Sequence, residues 1–94
     1  MASFSDLRKS FKLQQQAMQV RKELKNIHVE AVAEGVKVVI SADTQVVDFT
    51  ITPEVLRERI PSLAIDALNR ALKKAQIVSA ERMQEMMKEM GMAG

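Results

Sequence analysis

Residues 27–51 read IHVEAVAEGVKVVISADTQVVDFTI. Polar and apolar residues alternate here over short runs, and valine is frequent. A period of two with β-branched residues is the signature of strands. Gly35 marks one turn and the SADT of residues 41–44 a second. Three strands are expected, at about 27–34, 36–41 and 45–51. Connections this short join antiparallel neighbours. In the last strand Val47, Phe49 and Ile51 fall on one face, with Asp48 and Thr50 on the other.

Helical patterns flank the strands. Residues 1–26 contain no Gly or Pro and are rich in Leu, Gln, Lys and Arg, so they read as a long helix. Ser3 or Ser5 can cap it. Two apolar stripes run along it: Phe4, Leu7 and Phe11, and, offset from them, Leu13, Ala17, Val20, Leu24 and Ile27. Such spacing suits packing on another helix or across a sheet. After the strands, TPEVLRERIP predicts a short helix over 53–59, with Thr52 as cap and Pro53 in the first position. Pro61 ends it and opens a last helix over 62–90. Leu63, Ala64, Ala67, Leu68, Ala71, Leu72, Ala75 and Val78 form the apolar face of that helix. Gly91 is its stop, and residues 91–94 are expected to fray.

Runs of like elements define the class as α+β, in one domain over residues 1–94. Three strands and two long helices leave sheet edges and apolar faces over, which a dimer would cover. The composition, 47% hydrophobic and 28% charged over 94 residues, is that of a soluble globular chain. No run approaches a membrane span. The opening MASFSDLRKS lacks the apolar stretch of a secretory signal, so a cytoplasmic location is expected. There is no cysteine, hence no disulfide, thiolate metal site or cysteine nucleophile. All three aromatic residues are Phe, a poor basis for base-stacking platforms.

The net charge of +2 is unevenly spread. Residues 1–26 carry six bases (Arg8, Lys9, Lys12, Arg21, Lys22 and Lys25) against two acids. Residues 27–56 carry one base against five acids, and residues 57–78 five bases against two acids. In LNRALKKAQ, residues 68–76, Arg70, Lys73 and Lys74 lie three and four apart, on the side of the helix away from Leu68, Ala71, Leu72 and Ala75. Both basic clusters are either ordinary solvated charge or phosphate contacts. Arg57 and Arg59, with Glu58 between them, are weaker candidates.

The chain resembles the YbaB/EbfC family of bacterial nucleoid-associated proteins. The matching pieces are the Gln/Met-rich residues 14–18, the hairpin residues 35–40, residues 51–56 around Thr52-Pro53, and residues 67–74 of the last helix. They occur in the family's order over nearly the whole chain. The second turn departs from the family's usual Asn-Gly, so a longer turn or another type is expected. Thr52 replaces an Asp, and Arg70 makes the last helix more basic. The resemblance implies a homodimer with helices projecting like tweezers. It also implies duplex DNA binding in the nucleoid with little or mild sequence preference, through the first and last helices. On that basis the candidate DNA-binding residues are Arg8, Lys9, Lys12, Arg21, Lys22, Lys25, Arg70, Lys73 and Lys74.

Other features read more plainly. His28 has no second His to share a metal, and it shares a strand face with Glu30 and Val32. Glu30, Glu34, Asp43 and Asp48 look like the polar face and turns of a sheet rather than paired catalytic acids. The three glycines are isolated, so there is no phosphate-cradling loop. No enzyme activity, cofactor, metal, membrane or small-molecule substrate is expected. The alternative to DNA binding is an adaptor that docks a partner protein through the helices and the Met-rich MQEMMKEMGMAG end.

Overall fold

The computed structural model describes residues 3–91 of the chain. Its elements run α1 (Phe4–Leu24), β1 (His28–Ala33), β2 (Val36–Ser41), β3 (Val46–Ile51) and α2 (Ile60–Glu89). Ser3 is the cap of α1. Its hydroxyl accepts from the Asp6 N–H at 3.3 Å, and the Asp6 carboxylate accepts from the Ser3 N–H at 3.2 Å. This reciprocal pair satisfies two donors that the helix start leaves free.

The sheet has the order β1-β2-β3 and is antiparallel throughout. Glu34 (φ +44°) and Gly35 (φ +92°) close the first hairpin, so both central residues are left-handed, which suits the twist of a two-residue hairpin. A side chain at Gly35 would come within 2.6 Å of the Thr52 hydroxyl. The second turn is longer. Thr44 takes φ +69° and donates to the Ser41 carbonyl at 2.8 Å, while the Ser41 N–H donates to the Gln45 carbonyl at 2.8 Å. The register then shifts between Val39 and Ile40: Ile40 faces Val46 and Val39 faces Asp48, which leaves Val47 as an extra residue.

The core lies between the sheet and the first half of α2. Val36, Val38 and Ile40 of β2 and Ala31 and Ala33 of β1 are buried against Leu63, Ala67, Ala71 and Ala75. Alanines four apart form one stripe of methyl groups, which lets the helix sit close on the strands. A second, smaller core joins α1 to the far half of α2, with Val20, Leu24, Ala42 and Met86 buried and Leu13, Ala17, Ile27, Val78, Met83 and Met90 beside them. The Ala42 N–H, pointing at the carbonyls of Leu24 (3.1 Å) and Ile27 (2.8 Å), ties the end of α1 to the second turn. The two helices thus leave the sheet together as one arm, and the molecule measures 62 × 22 × 21 Å.

One expected element does not form as read. The short helix over 53–59 is replaced by a turn, closed by the Val55 N–H on the Thr52 carbonyl (3.2 Å), and a 3-10 helix over Arg57–Arg59. Leu56 is extended (φ −65°, ψ 135°), which interrupts the helical path. Thr52 therefore caps no helix. Pro61 has no N–H to extend the short segment, and it sits instead in the first turn of α2, where no donor is needed. At the other end of α2, Gly91 (φ +71°) donates to the Lys88 carbonyl at 2.9 Å. Of the stretch expected to fray, residues 92–94 lie outside the described residues.

Candidate nucleic-acid interface

All six bases of the first cluster lie on α1 or its cap, and all six are exposed. Among the described residues none of them takes part in an ion pair or a side-chain hydrogen bond. The Arg8 guanidinium lies over the Phe4 ring, 5.8 Å from its centroid, which leaves its donors free. From Arg8 to Lys25 the helical rise spans about 26 Å. The two acids of this segment are already committed: Asp6 to the capping box and Glu23 to Arg82 at 2.5 Å.

The cluster on α2 is different. Arg70 holds Asp66 with two parallel bonds, Nε–Oδ1 and Nη2–Oδ2, each 3.0 Å. Lys74 donates to the Glu30 carbonyl at 2.7 Å, on the free edge of β1. Lys73 alone of the three has no partner among the described residues. These residues flank an open groove with Ala31, Val32 and Ile77. The structure therefore places the nine candidate bases on two surfaces, one along α1 and one beside β1, and leaves mainly the first with uncommitted charge. Exposed pairs such as Arg70–Asp66 are worth only about 0.3–0.5 kcal/mol, so a phosphate can displace Asp66.

Several other charges pair within the fold. Lys37 pairs with Glu30 at 3.5 Å, and Arg59 pairs with Glu34. Arg82 bridges Glu23 and Glu85 and so links α1 to α2. Its hydrogen bonds to Glu23 and then Glu85 raise its pKa further above the usual range. Hydrogen bonds from the Glu54 backbone N–H and the Thr52 hydroxyl hold the Glu54 carboxyl below its ordinary value. His28 is exposed on β1. Among the described residues no three His, Cys, Asp or Glu side chains are placed to hold a metal ion. Among the described residues no helix is long and apolar enough to cross a membrane.

Two apolar faces stay open in the structure. The first is the outer stripe of α1, where Phe4 (78%), Leu7 (57%), Phe11 (61%) and Met18 (58%) are exposed. Only the offset stripe from Leu13 to Leu24 packs on α2. The second is β3. By register Phe49 and Ile51 lie opposite Val38 and Val36 and share their inward face, yet α2 covers only β1 and β2. Phe49 and Ile51 stay open beside exposed Val46 and Val47. Ile65 is exposed and Leu68 and Leu72 half-buried on the flank of α2 away from Lys74. The Met-rich end, by contrast, turns inward: Met86 is buried, Met83 and Met90 pack beside it, and Met87 is exposed.

A two-helix arm with six exposed bases on α1, set on a three-stranded base, defines a small α+β protein. The chain belongs to the YbaB/EbfC DNA-binding family, whose model matches residues 1–90. It is similar to a nucleoid-associated protein of Pelotomaculum thermopropionicum, 37% identical over 78 residues, covering 77% of this chain and 74% of that protein. In structure it is similar to an uncharacterised protein of Helicobacter pylori, with a TM-score of 0.79 at 18% identity. That match covers 93% of this chain and 99% of the other.

Proposed function

We propose that this protein is a nucleoid-associated protein of the bacterial cytoplasm that binds duplex DNA as a homodimer, mainly through phosphate contacts and with little or mild sequence preference. The observation that carries the reading is the set of six exposed bases on α1, uncommitted among the described residues. Each base that meets a phosphate releases counterions, so affinity falls steeply with salt. Contacts of this kind fix position on the duplex and carry little direct sequence information. Lys73 adds a base from the second surface, beside β1, and Arg70 joins it when it leaves Asp66.

The homodimer is supported by the open apolar surface on β3. An edge strand with exposed Val46, Val47, Phe49 and Ile51 is a liability unless it is covered. A second copy, with the same surface, is self-complementary about a two-fold axis. Light scattering on the purified chain is expected to give twice the mass of 10.5 kDa. Phe49→Lys should shift that mass towards a single chain. An unshifted dimer would move the interface elsewhere. A protein adaptor working through the Met-rich end draws little support, since Met83, Met86 and Met90 face α1.

A further inference from the structure

We propose that the first turns of α1 enter the major groove of duplex DNA and lay Phe4, Leu7 and Phe11 against thymine methyl groups. This rests on the reading that the chain binds duplex DNA, and it names what a part of that surface touches. Every residue from 3 to 12 is exposed, and Leu13 is the first to pack on α2. These turns are a single helix about 10–12 Å across, and the major groove, about 12 Å wide, admits one.

The sidedness of these turns fits that placement. At about 100° per residue, Phe4, Leu7, Phe11 and Met18 lie within roughly one-sixth of the circumference. Arg8 and Lys12 border the apolar strip on one flank, within reach of a groove wall. Lys22 and Lys25 continue the same strip towards the sheet. Asp6, the one acid in these turns, sits on the side away from the strip and is held by Ser3. The strip therefore has an apolar floor, a cationic border and no carboxylate. An antiparallel second α1 on this strip would set Arg8 and Lys12 against their own counterparts. A polyanion with apolar groups between its charges is the better complement, and phenylalanine against the thymine methyl is a recognised base-edge contact.

The test uses the full chain and two duplexes of one T-rich sequence, built with thymine or with uracil, which lacks only the methyl group. Fluorescence anisotropy is read across a salt series. Each lost methyl contact should weaken binding about threefold to fourfold, with the salt slope unchanged. Phe4→Ser with Phe11→Ser should weaken binding to the thymine duplex and shrink the thymine–uracil difference to what Leu7 alone supplies, again at constant slope. Both side chains are exposed, so circular dichroism should be unaltered, and the uracil comparison needs no variant at all. Equal affinity for the two duplexes would overturn the proposal. So would a fall in solution mass in the double variant, because the strip would then be covered by a second copy. Absence of binding to either duplex at low salt would overturn the underlying DNA reading, whereas salt-sensitive binding blind to methyl groups would sink only the groove assignment.

Discussion

Replacing Arg21, Lys22 and Lys25 together by Gln tests the division of labour between the two helices. All three are exposed and uncommitted among the described residues, so their removal should leave the fold intact. If each meets a phosphate, a dimer loses six contacts. At about 0.9 per contact, the slope of log affinity against log salt should flatten by about 5. Between about 50 and 200 mM salt, the variant should then lose about a thousandfold less affinity than the unaltered protein. The matching change of Arg70, Lys73 and Lys74 to Gln removes one free base and two that already have partners. It should flatten the slope by about 2 per dimer from Lys73 alone, and by no more than about 4 with Arg70 released from Asp66. The assay is anisotropy on unrelated duplexes of equal length, with circular dichroism to check folding. A larger effect from the α2 set than from the α1 set would refute the reasoning, as would an unchanged slope in the α1 variant.

Three further outcomes follow from the packing. Gly35→Ala forces a methyl to 2.6 Å from Thr52 Oγ1 and 2.7 Å from Val55 Cγ2 at φ +92°, and should cost about 1–3 kcal/mol in urea unfolding. Ala71→Leu, at a position with no exposed surface between helix and sheet, should cost about 1–3 kcal/mol by overpacking and lower the melting temperature. Arg82→Met should speed amide exchange in α1 more than in the sheet, since it cuts the links to Glu23 and Glu85. Because those bonds raise the Arg82 pKa, its contribution is fully present below the unfolded arginine value and is lost only as pH rises through the folded one. The exchange difference should therefore hold from about pH 6 to 9.

The strands were legible because alternation and valine content are local, and the observed strands lie within the expected ranges. Gly35 announced its own turn. The lack of Asn-Gly predicts a longer second turn or one of another type, and Thr44 at φ +69° shows the form it takes. Thr52-Pro53 has the chemistry of a helix start and so predicts a short helix, whereas the extended Leu56 that breaks it is set by how the chain must enter α2. The two apolar stripes of α1 look alike in sequence. Which of them packs depends on where α2 lies, and that is a tertiary fact. The candidate bases show the same limit. Asp66 and Arg70 are four residues apart, so their pairing could be anticipated, but the hydrogen bond from Lys74 to a carbonyl 44 residues away could not. Charge is a property of the sequence, whereas its availability depends on the folded neighbourhood.

The alanine seam of α2 has a mechanical consequence. Ala67, Ala71 and Ala75 clamp the first half of a 30-residue helix to the sheet, and no Gly or Pro interrupts it between Pro61 and Gly91. The distal half therefore has no joint at which to swing, and α1 is braced along it. In a two-fold assembly the gap between arms would be fixed by the sheets, as in a caliper with its jaws locked. A gap locked in that way would admit only a partner whose width matches it.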